Sequence, residues 1–263
     1  MDLNLKGKIA LVTGASRGLG FATANVLSEE GCQVVINGRN DKRIQQAAQS
    51  IYHSTGNPVL GIEGDVSRLD DVERVVSSTV DHFGGLDILV TNAGGPPPGG
   101  FEKFDDEAWL NAFNLNFMSH VRLIRAALPH LRKSKDASVL TITSYSIKQP
   151  INGLILSNSI RTSVAGLTKS LALDMGKDGI RFNSILPGWT ETERVTQLMQ
   201  ARAVQNNTSI DKEITKQMAE SPLGRMAKPE EFARAAAFIV SPAASYITGI
   251  LLPLDGGMIK GTF

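Results

Sequence analysis

The chain has 263 residues, which is long enough for one large α/β domain or two small ones. Of these residues, 42% are hydrophobic and 20% are charged, as is ordinary for a soluble globular protein. Its formal net charge of +1 gives no reason to expect a nucleic-acid partner. The single cysteine, Cys32, excludes an internal disulfide, and the apolar run at 9–13 is too short for a signal peptide or a membrane span. We expect a cytoplasmic protein without membrane contact and, since its four histidines lack ligand spacing, without a metal.

Seven short apolar runs recur along the chain and are typical of strands buried on both faces of a parallel sheet. They occupy residues 8–14, 33–38, 59–66, 86–94, 137–144, 180–188 and 249–257. Helical patterns at 18–31, 41–56 and 69–85 separate the first four runs, and Gly31 suits the end of the first helix. This alternation predicts an α/β fold, a doubly wound (Rossmann) parallel sheet of about seven strands with helices on both faces.

We find no domain boundary, so the chain is predicted to form a single domain over residues 1–263. The segment GGPPPGG (94–100) follows a predicted strand and is interpreted as a stiff loop at the carboxyl edge of the sheet. Residues 189–230 break the alternation with about two helical stretches. Because an insertion there lies over the strand ends where ligands bind, we predict a substrate lid rather than a plain surface excursion.

A glycine-rich turn joins the first predicted strand to the first helix, with glycines at 14, 18 and 20. Gly14 permits a tight turn, and a helix that begins near Gly18 aims its first N–H groups at a pyrophosphate. This context favours a dinucleotide site over a purely structural turn.

Eight segments resemble the short-chain dehydrogenase/reductase family, including its 3-oxoacyl carrier-protein reductase type, over essentially the whole chain. They are TGASRGLG (13–20), GDV (64–66), NAG (92–94), NLNF (114–117), TITS (141–144), GLTKSLALDM (166–175), PGWTET (187–192) and ITGILLPLDGG (247–257). The resemblance implies a nicotinamide cofactor held by three groups of residues. The glycine loop supplies Gly14, Ser16, Arg17, Gly18, Leu19 and Gly20, the adenine and the middle of the cofactor meet Asp65, Val66, Asn92 and Gly94, and the carboxamide meets Pro187, Gly188, Thr190 and Thr192.

The choice of cofactor depends on the end of the second predicted strand. An acidic residue there would bind a ribose hydroxyl and repel a 2′-phosphate, but this chain has Gly38 followed by Arg39. Arg17 adds a second guanidinium from the glycine loop, and guanidinium groups match phosphate geometry. We therefore predict NADP(H) rather than NAD(H), although Arg39 could also be simply solvated.

The resemblance also implies a catalytic set of a serine, a tyrosine 13 residues later, a lysine four residues after the tyrosine, and an asparagine. Ser144 and Asn116 match the serine and the asparagine. Ser157 and Arg161 occupy the tyrosine and lysine places, since the segment at 166–175 leaves no room for a shift. Thus the spacing of the catalytic set is kept, and two of its residue types are changed.

Arg161 can still present a permanent cation to the cofactor ribose, which is part of the lysine's role in the family. Ser157 is a far weaker acid than a phenol, so we expect it to relay a proton through water or to polarise a carbonyl. Tyr145, directly after Ser144, is the other candidate acid, with a packing or substrate-contact role as the alternative.

These observations favour an NADP(H)-dependent oxidoreductase that reduces a carbonyl or an activated double bond of an unidentified small molecule. A catalytically silent NADP(H)-binding sensor or scaffold and a non-redox reaction on the same fold remain alternatives. The resemblance implies a homo-oligomer, a dimer or a tetramer. The apolar segment at 245–263 fits either a subunit interface or a buried last strand.

Overall fold

Seven strands form one fully parallel sheet in the order β3-β2-β1-β4-β5-β6-β7 in the computed structural model, which describes residues 2–262. The strands are Ile9–Val12 (β1), Gln33–Gly38 (β2), Val59–Glu63 (β3), Ile88–Thr91 (β4), Ser138–Ile142 (β5), Arg181–Pro187 (β6) and Leu251–Leu254 (β7). The predicted doubly wound sheet is confirmed. The first and last residues of the predicted domain 1–263 lie outside the described part of the chain.

Nine α-helices connect the strands within residues 2–262. They are Gly18–Glu29 (α1), Asp41–Thr55 (α2), Leu69–Phe83 (α3), Asp106–Phe113 (α4), Ser119–Leu131 (α5), Ile155–Met175 (α6), Glu193–Asn206 (α7), Ile210–Met218 (α8) and Pro229–Val240 (α9). A π-helical turn at Asn114–Met118 joins α4 to α5. Helices α2 and α3 end where Gly56 and Gly84 adopt left-handed conformations, with φ of 74° and 85°, because glycine reaches this region without steric cost.

Two apolar cores lie on opposite faces of the sheet. Ala10 and Val12 of β1 pack in one core with residues of α1, α2 and α9, whereas Leu11 packs in the other with residues of α3, α5 and α6. Successive side chains of a strand point to opposite faces, so each central strand must be apolar throughout to serve both cores. This requirement explains why the predicted strands are continuous apolar runs.

The fifth strand ends two residues before the position expected from the sequence. The apolar run predicts a strand through Ser144, but β5 ends at Ile142. The hydroxyl of Ser144 accepts a hydrogen bond from the N–H of Ser146 at 3.1 Å and caps a 3₁₀ turn over Tyr145–Ile147. A serine that bonds its own backbone in this way favours a turn over a further strand residue.

Residues 189–230 contain helices α7 and α8 and a loop that leads into α9. A third apolar cluster joins this region to the turn after β5. Its buried members are Tyr145, Trp189, Met199, Met226 and Met258. In residues 2–262, no helix is both long enough and apolar enough to cross a membrane.

Arg181 at the start of β6 ties the sheet to the end of α9. Its two terminal nitrogens donate to the carbonyl oxygens of Ile239 and Ile247, and of Val240 and Ser241, at 2.8–3.1 Å. Two of these carbonyls close the last turn of α9, where a helix has no partners of its own. One guanidinium therefore supplies donors to the carbonyl oxygens of Ile239 and Val240 at the end of α9 and adds a donor to those of Ser241 and Ile247.

We expect Arg181→Met to lower the free energy of unfolding by roughly 2–4 kcal/mol, because several partly buried carbonyls lose a charged donor. Urea unfolding followed by circular dichroism measures the change. The matched control is Arg234→Met, which removes an exposed arginine of α9 and should change the free energy by less than about 0.5 kcal/mol. Equal effects of the two variants would contradict the assigned role of Arg181.

Candidate active site

A cleft of about 390 Å³ opens at the carboxyl edge of the sheet. Its walls come from the turns that follow β1, β4, β5 and β6, from α6 and from the start of α7. Parallel strands bring their carboxyl ends to one edge, so turns distant in sequence meet there. Of the predicted site residues, the cleft is lined by Gly14, Arg17, Gly18, Leu19, Arg39, Asn92, Gly94, Ser144, Tyr145, Ser157, Arg161, Pro187, Gly188, Thr190 and Thr192.

Five predicted site residues do not line this cleft: Ser16, Gly20, Asp65, Val66 and Asn116. Gly20 and Asn116 instead contact residues that do. A carboxylate oxygen of Asp65 accepts hydrogen bonds from the N–H and the hydroxyl of Ser67, at 2.9 and 2.8 Å. Asp65 thus shapes the turn after β3.

The glycine loop is packed too tightly for side chains. A Cβ on Gly20 would lie 2.5 Å from the carbonyl oxygen of Gly14, and one on Gly14 would lie 2.8 Å from that of Asn92. Gly14 also has a φ of +58°, which side chains disfavour. The Asn92 amide donates to the Gly14 carbonyl at 3.1 Å and holds the two turns together. Helix α1 begins at Gly18, so its first N–H groups face the cleft, and the loop fits a cofactor pyrophosphate.

Two arginines line the cleft beside the end of β2. Arg39 is exposed and directly follows Gly38, where a Cβ would touch Ser16 and Ile44 at 3.3 Å. Arg17 is half exposed and forms an ion pair with Glu193 in the first turn of α7. The glycine loop and α7 are thereby linked across the cleft, a contact that sequence spacing did not indicate.

Arg161 is a buried cation at the inner wall of the cleft, with 6% of its surface exposed. One terminal nitrogen donates to the carbonyl oxygens of Ile142 and Thr143, at 3.4 and 3.3 Å, at the end of β5. Burial, with a smaller contribution from Arg194, lowers the pKa of Arg161 to about 10. The guanidinium remains charged at neutral pH. Ser157, one helical turn earlier on α6, is half-buried and lines the same cleft.

Asn116 lies in the π-helical turn between α4 and α5 and is fully buried. Its amide nitrogen donates to the carbonyl of Gly94 at 2.7 Å, whereas its Oδ1 has no hydrogen-bond partner in residues 2–262. A π turn changes the direction in which the neighbouring side chains of a helix point, and such turns are frequent at functional sites. The sequence motif identified Asn116 but contained no sign of the π turn.

His120 is a buried residue that sequence reasoning did not assign to the site. Its Nδ1 forms a 2.7 Å hydrogen bond with the hydroxyl of Thr91 at the end of β4. Burial, followed by the charge of Arg161, lowers the pKa of His120 to about 3, so the ring is neutral at working pH. No motif or spacing in the sequence links His120 to the site, since only the fold brings α5 behind the cleft.

Tyr145 is almost fully buried, with 4% of its surface exposed, and its ring meets the Trp189 ring edge-on at 6.3 Å between centroids. Burial, assisted by the charge of Glu220, raises the pKa of Tyr145 to about 12. A phenol that holds its proton so firmly is a poor acid near neutral pH. The geometry therefore favours the packing or substrate-contact role for Tyr145.

Arg194, in the first turn of α7, also reaches the cleft without having been predicted. The residue is exposed overall, but its guanidinium is partly enclosed and donates to the carbonyl of Pro96 at 2.8 Å. This partial burial lowers the pKa of Arg194. No group of three or more histidine, cysteine, aspartate or glutamate residues in the described part of the chain could hold a metal ion.

A doubly wound sheet with a glycine-lined cleft at its carboxyl edge defines a Rossmann-type dinucleotide-binding protein. A family model described as "Enoyl-(Acyl carrier protein) reductase" matches residues 14–259. The 3-oxoacyl-(acyl-carrier-protein) reductase of Vibrio cholerae is 34% identical over 256 residues, which cover 97% of this chain and 99% of that protein. The chain belongs to the short-chain dehydrogenase/reductase family and is an oxidoreductase of that family.

Solved structures are similar over almost the whole chain. L-sorbose reductase from Gluconobacter frateurii, in complex with NADPH and L-sorbose, superposes with a TM-score of 0.94 at 32% identity, covering 99% of this chain and all of that one. A variant of actinorhodin polyketide ketoreductase with NADPH has a TM-score of 0.93 at 27% identity, covering 97% and 98% of the two chains. Both of these similar structures contain NADPH.

The raised pKa of Tyr145 predicts a pH effect on stability. The unfolded chain ionises this phenol near its ordinary pKa of about 10. The folded chain ionises it near pH 12, so the contribution of the buried neutral phenol to the free energy of unfolding is fully present below the pKa of the unfolded chain. It is lost as the pH rises through the folded value. Tyr145→Phe should remove this loss. The difference in phenolate absorbance between wild type and variant should have its midpoint close to pH 12. A midpoint at the ordinary value would contradict the buried setting of Tyr145.

Proposed function

We propose that this protein is an NADP(H)-dependent reductase of a carbonyl or an activated double bond. The observation that supports the proposal best is that one cleft brings the glycine loop, Ser144, Ser157 and Arg161 together at the carboxyl edge of the sheet. The two NADPH-containing structures that resemble the chain add support for the cofactor. We further propose that α7 and α8 form the substrate lid.

When bound, the cofactor supplies or accepts a hydride at its nicotinamide ring. The backbone N–H groups at the start of α1 hold its pyrophosphate, and Arg39 receives the 2′-phosphate where Gly38 leaves no acidic side chain. Thr190, in the turn after β6, and Thr192, which caps the start of α7, would hold the carboxamide. Arg17 must share its guanidinium between the cofactor and Glu193.

At the reacting end, the hydroxyl of Ser144 donates a hydrogen bond to the substrate oxygen. The negative charge that develops on this oxygen is stabilised by the Arg161 cation of α6, which hydrogen bonds to carbonyl oxygens at the end of β5 hold in place before the reaction begins. Ser157 passes a proton from water to the oxygen instead of supplying it from a phenol. A substrate that needs only a weak proton donor, such as an enone, suits this arrangement.

Replacement of Arg39 tests the choice of cofactor. We expect Arg39→Gln to weaken NADPH binding about tenfold, since a charge-assisted hydrogen bond to phosphate is lost, and to change NADH binding less than about twofold. Quenching or enhancement of nicotinamide fluorescence measures both affinities. Arg132→Gln, at the far end of α5, is the matched control and should change neither. Equal losses for NADPH and NADH would contradict a phosphate contact by Arg39.

Replacement of Ser157 and Arg161 tests the altered dyad. NADPH oxidation is followed over ketones, aldehydes, enones and acyl thioesters. We expect turnover by wild type, a loss of about 10- to 100-fold in kcat for Ser157→Ala, a larger loss for Arg161→Met, and little change for Tyr145→Phe. Binding of NADPH is measured in each variant, so a lost cofactor site is not mistaken for lost chemistry.

A double variant, Ser157→Tyr with Arg161→Lys, separates the alternatives. If wild type is inactive on every substrate while the double variant turns over, the natural chain does not reduce these substrates, and the sensor or scaffold hypothesis or the non-redox hypothesis replaces ours. Full activity of Tyr145→Phe together with inactive Ser157→Ala supports a proton relay through Ser157. Loss of activity in Tyr145→Phe alone would instead make Tyr145 the acid.

A further inference from the structure

The cleft has more positive charge than the proposed cofactor contacts use. Six titratable groups line it: Arg17, Arg39, Tyr145, Arg161, Glu193 and Arg194. The only carboxylate among them, Glu193, is paired with Arg17. Arg39 is assigned to the 2′-phosphate, so two guanidinium groups remain at the reacting end with no acid on the cleft wall to balance them.

A bound anion would stabilise Arg161 more than Arg194, because the Arg161 guanidinium is buried. Within residues 2–262 no carboxylate lies within 4.0 Å of its guanidinium, and its two hydrogen bonds in this part of the chain, both from one nitrogen, are long at 3.4 and 3.3 Å. A buried charge is costly unless a counter-charge or strong hydrogen bonds compensate it. The remaining donors of the guanidinium are the part of the site best suited to receive a negatively charged group.

Arg194 contributes a second cation to the same end of the cleft. It follows Glu193 at the start of α7. The positive end of the helix dipole lies there, so the dipole and the Arg194 guanidinium both attract a bound anion. A Cβ at Gly95 would lie 3.1 Å from a terminal nitrogen of Arg194, so the glycine leaves room for the guanidinium against the loop. The charge of Arg194 also acts on Arg161, with no intervening acid to offset it.

We infer that the substrate carries a carboxylate in addition to its reducible group, and that this carboxylate binds between Arg161 and Arg194. The inference rests on the proposed reductase function and names the class of its substrate, an oxo acid or an unsaturated acid. Leu154, Trp189 and Leu198 line the cleft and provide apolar surface for the carbon chain of such a substrate. Arg194 then selects the substrate, whereas Arg161 serves both its carboxylate and its reacting oxygen.

The test compares oxo acids with their methyl esters, which keep the ketone and remove the charge. The panel contains 2-oxobutanoate, 4-oxopentanoate and 5-oxohexanoate, so the separation of ketone and carboxylate varies. For wild type we expect at least one acid to exceed its ester in kcat/KM by about tenfold or more, equivalent to ~1.4 kcal/mol. Arg194→Gln should reduce that advantage to about twofold or less, mainly through KM, and Arg194→Lys should retain part of it.

A second measurement does not need turnover. Each acid and each ester is titrated into wild type saturated with NADP⁺, and binding is followed as the rise in melting temperature. The preferred acid should raise the melting temperature of wild type and of Arg132→Gln, but not that of Arg194→Gln. Gly95→Ala keeps both charges and shifts the Arg194 guanidinium by a few tenths of an ångström, so it should weaken binding of the acid less than Arg194→Gln does and leave binding of the ester unchanged.

The outcomes separate the inference from the function on which it rests. Binding of an acid without NADPH oxidation, either with these acids or with the ketones, aldehydes, enones and acyl thioesters above, would support the anion site and overturn the proposed reductase. Turnover with no acid preferred over its ester would keep the reductase and overturn the anion site. If Arg194→Gln weakens NADPH binding about tenfold and lowers kcat/KM equally for acids and esters, Arg194 binds a cofactor phosphate and the inference is wrong.

Discussion

The close contact between the turns after β1 and β4 determines the geometry of the whole cleft. These strands are neighbours in the sheet at the point where the order of the strands reverses. The chain therefore leaves the two turns in opposite directions, and a crevice opens above them. Thr13 and Asn92 close the base of the crevice through hydrogen bonds of 2.9 and 3.0 Å. Gly14 and Gly20 allow the backbones to approach to a distance that any side chain would prevent. The start of α1, which points at the cofactor pyrophosphate in our proposal, is positioned by this contact.

The second determinant of the site is its unbalanced charge. The chain as a whole is nearly neutral, with 27 basic and 26 acidic side chains, yet the cleft wall has four arginines and one glutamate. The imbalance is therefore local. A site of this kind concentrates anions, because low-dielectric walls extend the reach of each unpaired charge. In our proposal, a phosphorylated cofactor would use part of that charge, and an acidic substrate would use the rest.

In our proposal, the altered dyad changes the chemistry of the site more than its shape. The backbone of α6 presents residues 157 and 161 to the cleft one turn apart, the spacing that the family resemblance implies for the dyad. A guanidinium at 161 is held by the carbonyls at the end of β5 and cannot give up its proton as readily as an ammonium group. A hydroxyl at 157 is too weak an acid to replace a phenol directly. The proposed reductase thus depends on charge stabilisation at the reacting oxygen and on water for its proton.

The sequence by itself determined the class of fold, the helices α1 to α3 and the glycine turn, because these follow from local patterns of apolar residues and glycine. It also predicted Ser144, Ser157 and Arg161 as neighbours in one site, and all three line the cleft, since the turn after β5 and the helix α6 keep the spacing between them. Only the tertiary structure decided how these groups are surrounded. The burial of Tyr145 against Trp189, the π turn at Asn116, the ion pair of Arg17 with Glu193 and the approach of Arg194 all join distant segments. Such contacts have no local pattern, because they arise where separate turns meet at one edge of the sheet.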